Sequence, residues 1–153
     1  MTTANNKFAP IYELVGQTLH DFGVCYDILK LCFGEYEIHV GCFARIVLND
    51  QILLTTEDYN SRDEEDYKHN DMYLNIAKHG ASLIGHVVQS VEISAINDLL
   101  IVLDNGARIE LFNSNGELHF SEGGEQYFFY KPKDKAYPFL SITNKDVEIG
   151  NVD

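Results

Sequence analysis

The alternation of apolar residues breaks twice in this chain, in the same way each time, and that constrains the fold more than any other feature. In LIGHVVQSVEIS, residues 83 to 94, the apolar positions Val88, Val91 and Ile93 are spaced three and then two apart, whereas a strand with one buried face repeats every second residue. One extra residue, a β-bulge, restores the apolar face and adds twist. Residues 14 to 25, LVGQTLHDFGVC, carry the same break: aligning Gly16 with Gly85 brings Leu14, Val15, Leu19, Phe22 and Val24 onto Leu83, Ile84, Val88, Val91 and Ile93. A helix-compatible run precedes each copy, APIYELV and NDMYLNIAKHGASLI, and the glycine closes it.

The correspondence continues. ILKLCF (28 to 33) matches LLIVL (99 to 103), and YEIHV (36 to 40) matches ARIEL (107 to 111). Tight turns join the members of each pair, Gly34 with Glu35 in the first copy and Asp104, Asn105 and Gly106 in the second, where Asn-Gly is a strong hairpin signal. Further hairpins are expected between FARIVLN (43 to 49) and ILLTT (52 to 56) across Asp50 and Gln51, and between ELHFS (117 to 121) and EQYFFYK (125 to 131) across Gly123 and Gly124. PFLSITN (138 to 144) reads as a closing strand. A helix near 70 to 81 buries Met72, Tyr73, Ile76 and Ala77, is capped by Asn70, and bridges the two meanders. The fold class is therefore α+β and β-rich: two similar antiparallel meanders, as a sandwich or half-barrel, with one or two short helices.

A chain of 153 residues suits one domain, 1–153, with repeat-like halves at about 10–56 and 70–131. It has no apolar run of about 18 residues that could span a membrane, and MTTANNKFAP lacks the regions of a signal peptide, so a cytoplasmic protein is expected. Cys25, Cys32 and Cys42 have neither zinc-site nor disulfide spacing and read as buried reduced thiols. His20, His39, His69, His79, His86 and His119 form no ligand pattern, so no metal or other cofactor is expected.

With 24 acidic against 11 basic residues, the formal net charge is −13, which argues against nucleic acid or an anionic membrane as a direct ligand. The charge is concentrated in TTEDYNSRDEEDY, residues 55 to 67, where Glu57, Asp58, Asp63, Glu64, Glu65 and Asp66 surround Arg62, with Tyr59 and Tyr67 interleaved. Two readings compete there. One is a solvated loop or helix start, with Ser61 and Glu64 as a capping box. The other is a docking surface for a basic partner, with the tyrosines as anchors.

No catalytic motif appears, neither a nucleophile elbow nor a phosphate-binding glycine loop. A small enzyme using His86 with Glu92 or Asp98 as acid and base is one rival to a binding module, and an oligomeric scaffold formed through strand edges is another.

The segments YEIHVGCFARIVLNDQILLTTEDY and LIGHVVQSVEISAINDLLIVLDNGARIELFNSNGELHFSEGGEQYFFYKP, separated by a polar insert and a helix, carry a further signal over roughly residues 14 to 132. An Arg-bearing strand at Arg45 is followed by an acid after the next strand at Asp58, a helix, a bulged strand, an Asn-Gly hairpin and an aromatic last strand. In this order of elements the chain resembles the small bacterial immunity proteins of contact-dependent growth inhibition and polymorphic toxin systems. It departs from them in the last strand, GEQYFFY, which lacks the expected tryptophan. The resemblance implies an antitoxin without catalysis, acting as a monomer on the basic C-terminal domain of a cognate toxin. That toxin is expected to be a nuclease, with a ribonuclease favoured, whose active site the immunity protein occludes. The implied contact residues are Glu57, Asp58, Asp63, Glu64, Glu65 and Asp66, with Tyr59 and Tyr67 as anchors.

Overall fold

Both glycines at the sequence breaks take a backbone that side chains rarely tolerate, φ +90° at Gly16 and +94° at Gly85. This is seen in a computed structural model of the chain, which describes residues 7–25, 28–60, 70–113, 126–143 and 146–150. Gly16 follows helix α1 (Ala9–Tyr12) after a run of tight turns that bond Glu13 to Pro10, Leu14 to Ile11 and Val15 to Tyr12. Gly85 follows helix α2 (Asp71–Leu83), whose cap Ile84 donates its N–H to the Gly80 carbonyl. Each glycine thus lets the chain leave a helical turn and enter a strand.

The expected bulges are present. Strand β1 (Leu19–Cys25) pairs with β2 (Ile28–Phe33) so that Leu19 faces Phe33 but Asp21 faces Cys32. Strand β6 (Val88–Ile93) pairs with β7 (Leu99–Leu103) so that Val88 faces Leu103 but Ser90 faces Val102. In both, the extra residue lets positions three apart, Leu19 with Phe22 and Val88 with Val91, all be buried.

The two copies meet each other at the glycines. Thr18 bridges Val87, its own equivalent 69 residues on. Around that bridge Gly16 N–H bonds Val88 O at 2.9 Å while Gly85 N–H bonds Leu19 O at 2.8 Å, and Leu19 N–H bonds His86 O at 2.9 Å while Val88 N–H bonds Gln17 O at 2.8 Å. Every bond has its mate with the roles of the halves reversed, so an approximate two-fold axis passes between Thr18 and Val87.

Strands β3 (Tyr36–Val40) and β8 (Arg108–Phe112) complete the two meanders, and there the halves exchange parts. The hairpin of β4 (Phe43–Leu48) and β5 (Gln51–Thr55) leaves its own meander and pairs with β8. Conversely β9 (Tyr127–Tyr130), followed by β10 (Phe139–Ile142) and β11 (Val147–Gly150), pairs with β3. The result, among the described residues, is two antiparallel sheets, ordered β1-β2-β3-β9-β10-β11 and β5-β4-β8-β7-β6, with no closed barrel. The protein is α+β and β-rich, and one apolar cluster draws on both sheets and both helices, including Ile11, Leu19, Leu31, Ile46, Met72, Ile109 and Phe129.

Several details differ from expectation. The β4–β5 turn lies one residue earlier, at Asn49 and Asp50, both with positive φ (53° and 60°), because a two-residue turn of this hand needs positive φ twice and Asn and Asp tolerate it better than Gln51. The β7–β8 turn, by contrast, runs through Asp104, Asn105 and Gly106 as expected, a three-residue loop closed by a Gly106 N–H to Leu103 O bond with Gly106 at positive φ. Helix α2 buries Met72 and Leu83 but exposes Ala77, and it packs on β1, β5 and the turn between them and itself. The segment 138 to 144 is not the closing strand, since β11 follows it. Cys32 and Cys42 are buried, but Cys25, the last residue of an outer strand, is exposed. The expected strand at 117 to 121, the turn at Gly123 and Gly124, and His69 and His119 lie outside the described residues.

Candidate functional site

The acidic stretch begins where β5 ends, and its first residues are fixed by their own side chains. A 3-10 helix, Thr56–Asn60, follows Thr55. Asp58 Oδ2 accepts the Thr55 N–H at 2.9 Å, as the third residue of a helix does in a capping box. The same oxygen accepts Asn75 Nδ2 from α2 at 2.9 Å, and Thr56 Oγ1 accepts the Ala44 N–H at 3.0 Å. Asn70, fully buried, works from the other side. Its Oδ1 accepts the Met72 N–H at 2.8 Å as the N-cap of α2, and its Nδ2 donates to the Tyr59 carbonyl at 2.8 Å. The chain on either side of residues 61–69 is therefore tied together at one point.

Of the expected contact residues, Glu57 is exposed, Asp58 is half-buried and engaged as described, and Tyr59 packs partly buried against the core. Asp63, Glu64, Glu65, Asp66 and Tyr67 lie outside the described residues, as do Ser61 and Arg62.

A second polar region covers the outer face of the β5-β4-β8-β7-β6 sheet. Direct cross-strand neighbours share a face, so the register places Thr55, Arg45, Glu110, Leu100 and Glu92 in one row across the five strands. Glu110, only 12% exposed, takes a guanidinium on each oxygen: Arg45 Nε on Oε2 and Arg108 Nε on Oε1, the latter at 3.3 Å. The Arg45 guanidinium also lies 5.2 Å above the Phe112 ring, which stacks on Phe43 at 5.7 Å. At the β6–β7 end of this face is a cavity of about 290 Å³ whose lining includes Glu92, Ser94, Asp98, Leu100, Arg108 and Phe112. Asp98 Oδ1 accepts the Asn113 N–H there at 2.7 Å.

The outer face of the other sheet centres on Glu37. One oxygen is shared by His39 Nε2 and Tyr130 OH, both at 3.1 Å, and the other lies 3.3 Å from Lys30 Nζ. Burial alone would raise the Glu37 pKa, but the hydrogen bonds from His39, Tyr130 and Lys30, with the Lys30 charge, outweigh it and hold the carboxyl below its usual value. Burial beside this carboxylate pushes Tyr130 up to about 12. Phe128, Tyr130 and Phe139 form an aromatic patch next to the cluster.

The acid-base pair considered for an enzyme is not assembled. His86 Nδ1 meets Asp104 at 2.7 Å, not Glu92 or Asp98. Among the described residues no group of three or more His, Cys, Asp or Glu side chains could hold a metal ion, and no helix is long and apolar enough to cross a membrane. Burial pushes the Cys42 thiol up to about 12, far from a thiolate nucleophile. Sequence reasoning missed both polar clusters, whose members come together only through strand register. Comparison with protein-family models, curated proteins and solved structures finds no match.

Proposed function

We propose that this chain is a cytoplasmic binding module that neutralises a basic partner protein, in the manner of the immunity proteins it resembles. The partner is the C-terminal domain of a toxin with a nuclease active site, and carboxylates on this chain stand in for the phosphates that such a site holds. The observation that carries the reading is the fixed base of the acidic stretch. Six carboxylates fall between residues 57 and 66, and the chain on both sides of 61–69 is locked by Asn70 and Asp58. The cations support it. Lys7, Lys30, Arg45, Arg108 and Lys131 each lie within ion-pair distance of one of the chain's own carboxylates, and with every cation counted the formal net charge is still −13.

Within this reading the stretch divides by role. Asp58 and Tyr59 hold the base, and Glu57, Asp63, Glu64, Glu65, Asp66 and Tyr67 make contact. Replacing Asp63, Glu64, Glu65 and Asp66 by their amides should slow association with the toxin domain encoded upstream and flatten its salt dependence, because interface charges mainly set encounter rate. Tyr67→Ala should chiefly speed dissociation, whereas Tyr59→Ala should lower stability first. An amide variant that associates at the parent rate at every salt concentration, and still protects cells, would place the docking face elsewhere.

A further inference from the structure

The cavity on the outer face of the second sheet has a composition that the acidic stretch alone does not explain. We propose that it is an anchor site for an arginine side chain of the basic partner. The proposal rests on the reading of this protein as a binder of a basic protein, and it adds a specific side-chain receptor to the diffuse attraction of the acidic stretch.

The lining combines what a guanidinium needs. Leu100 supplies an apolar surface beside Phe112, whose ring already carries the Arg45 guanidinium, and Glu92, Asp98 and Glu110 supply three carboxylates, the last of them shared by Arg45 and Arg108. Glu110 and Arg108 are already bonded to each other, and Asp98 holds the Asn113 N–H. Glu92 is different: it is exposed and makes no hydrogen bond or ion pair among the described residues. An exposed, unpaired carboxylate in the lining of a cavity of about 290 Å³ that also has apolar walls, Ile93, Leu99, Leu100 and Leu111, suits a cationic group that also has a flat, weakly hydrated face. Arginine has both properties, and lysine, a compact and strongly hydrated charge, has only one.

The location favours a protein as the source of that arginine. The row that ends at Glu92 on β6 begins at Thr55 on β5, the residue that Asp58 caps at the root of the acidic stretch. Four strand spacings separate the two ends, about 19 Å. An ordinary interface of about 800 Å² per partner spans that distance. One partner would therefore meet the root of the acidic stretch, at Glu57 and Asp58, near one edge of the sheet and insert an arginine at the other.

The test uses the free protein and a defined probe. In ¹⁵N-¹H correlation spectra of the full chain, N-acetyl-arginine methylamide should produce saturable shifts at the amides of Glu92, Ser94, Leu100 and Phe112. N-acetyl-citrulline methylamide, nearly isosteric but uncharged, should bind at least about tenfold more weakly, the lysine analogue should fall between them, and Glu92→Gln should remove saturation by arginine while the rest of the spectrum is unchanged. Shifts spread over the acidic surface, shifts equal for arginine and citrulline, or shifts insensitive to Glu92→Gln would each overturn the proposal. Toxin kinetics separate its failure from that of the parent reading. If the toxin domain binds but Glu92→Gln leaves its dissociation rate unchanged, the cavity is not the anchor and the immunity reading stands. If the toxin domain does not bind at all while the arginine probe does, the cavity stands and the immunity reading fails.

Discussion

Asn70 is the residue whose replacement should reveal most about how the acidic stretch is held. It is fully buried and makes two hydrogen bonds of 2.8 Å, one capping α2 at Met72 and one to the Tyr59 carbonyl across the base of segment 61–69. Asn70→Ala loses the cap, about 1 kcal/mol, and leaves the Tyr59 carbonyl without this donor, about 1 to 2 kcal/mol more. The expected loss is about 2 to 3 kcal/mol, which for a small protein is a fall of about 1 to 2 M in the urea midpoint at unchanged slope. Asn70→Asp separates the two bonds. The carboxylate keeps the Met72 contact and suits the helix dipole, but it has no proton to offer Tyr59 and is charged in a buried site. Its folded pKa should rise above the unfolded value, so that the folded state binds more protons and stability returns as pH falls through the raised pKa. Urea unfolding of both variants from pH 4 to 7, beside the parent, measures this. If Asn70→Ala lies within about 0.5 kcal/mol of the parent, the two bonds do not hold the base together, and the account of a fixed base fails with them.

Two further predictions concern the rest of the fold. Gly16→Ala and Gly85→Ala should destabilise by similar amounts, about 1 to 2 kcal/mol each, because an added Cβ meets nothing within 4 Å at either site and only the φ of +90° and +94° opposes it; thermal unfolding that shows one harmless and the other severe would refute their equivalence. Glu37, with its pKa held below the usual value, stabilises the fold above the unfolded carboxylate range and loses that contribution as pH falls through the folded pKa, so Glu37→Gln should reduce the loss of stability below about pH 5, and an unaltered pH profile by chemical denaturation would count against the cluster.

The bulges were legible because they break a local rule: apolar spacings of three and two within six residues can keep one face buried only if a residue is extruded. The α2 cap was legible for the same reason, since Asn70 precedes the apolar period directly. The capping role of Asp58 was also within reach, as Thr55 lies three residues before it, but Ser61 and Glu64 offered the same spacing and drew the reading away. The exchange of hairpins was not legible. Only Gly41 and Cys42 separate β3 from β4, and nothing in that dipeptide states that the chain crosses to the other sheet. The Glu37 and Glu110 clusters were hidden likewise, because Tyr130 is 93 residues from Glu37 and Glu110 is 65 from Arg45. Such distances are bridged by register, which depends on the crossing.

That crossing explains why the halves retain a common interior and differ outside it. Without the other half's strands, β3 and β8 would each be an unpaired edge, a template for unwanted association; β9 covers the first and β4 the second. Each half thus completes the other's sheet, and positions that face inward stay apolar in both, Leu31 with Ile101, Ile38 with Ile109 and Val40 with Leu111. The outward neighbours of those positions are under no such demand. At the places equivalent to Glu37 and His39 the second half has Arg108 and Glu110, by the same offset that relates Ile38 to Ile109. One face therefore holds its carboxylate with histidine, tyrosine and lysine, and the other holds its carboxylate with two arginines beside a cavity. Only the second of these faces runs to β5 and the root of the acidic stretch. On the reading proposed above, a basic partner drawn to that stretch would meet the face that carries the two arginines and the cavity.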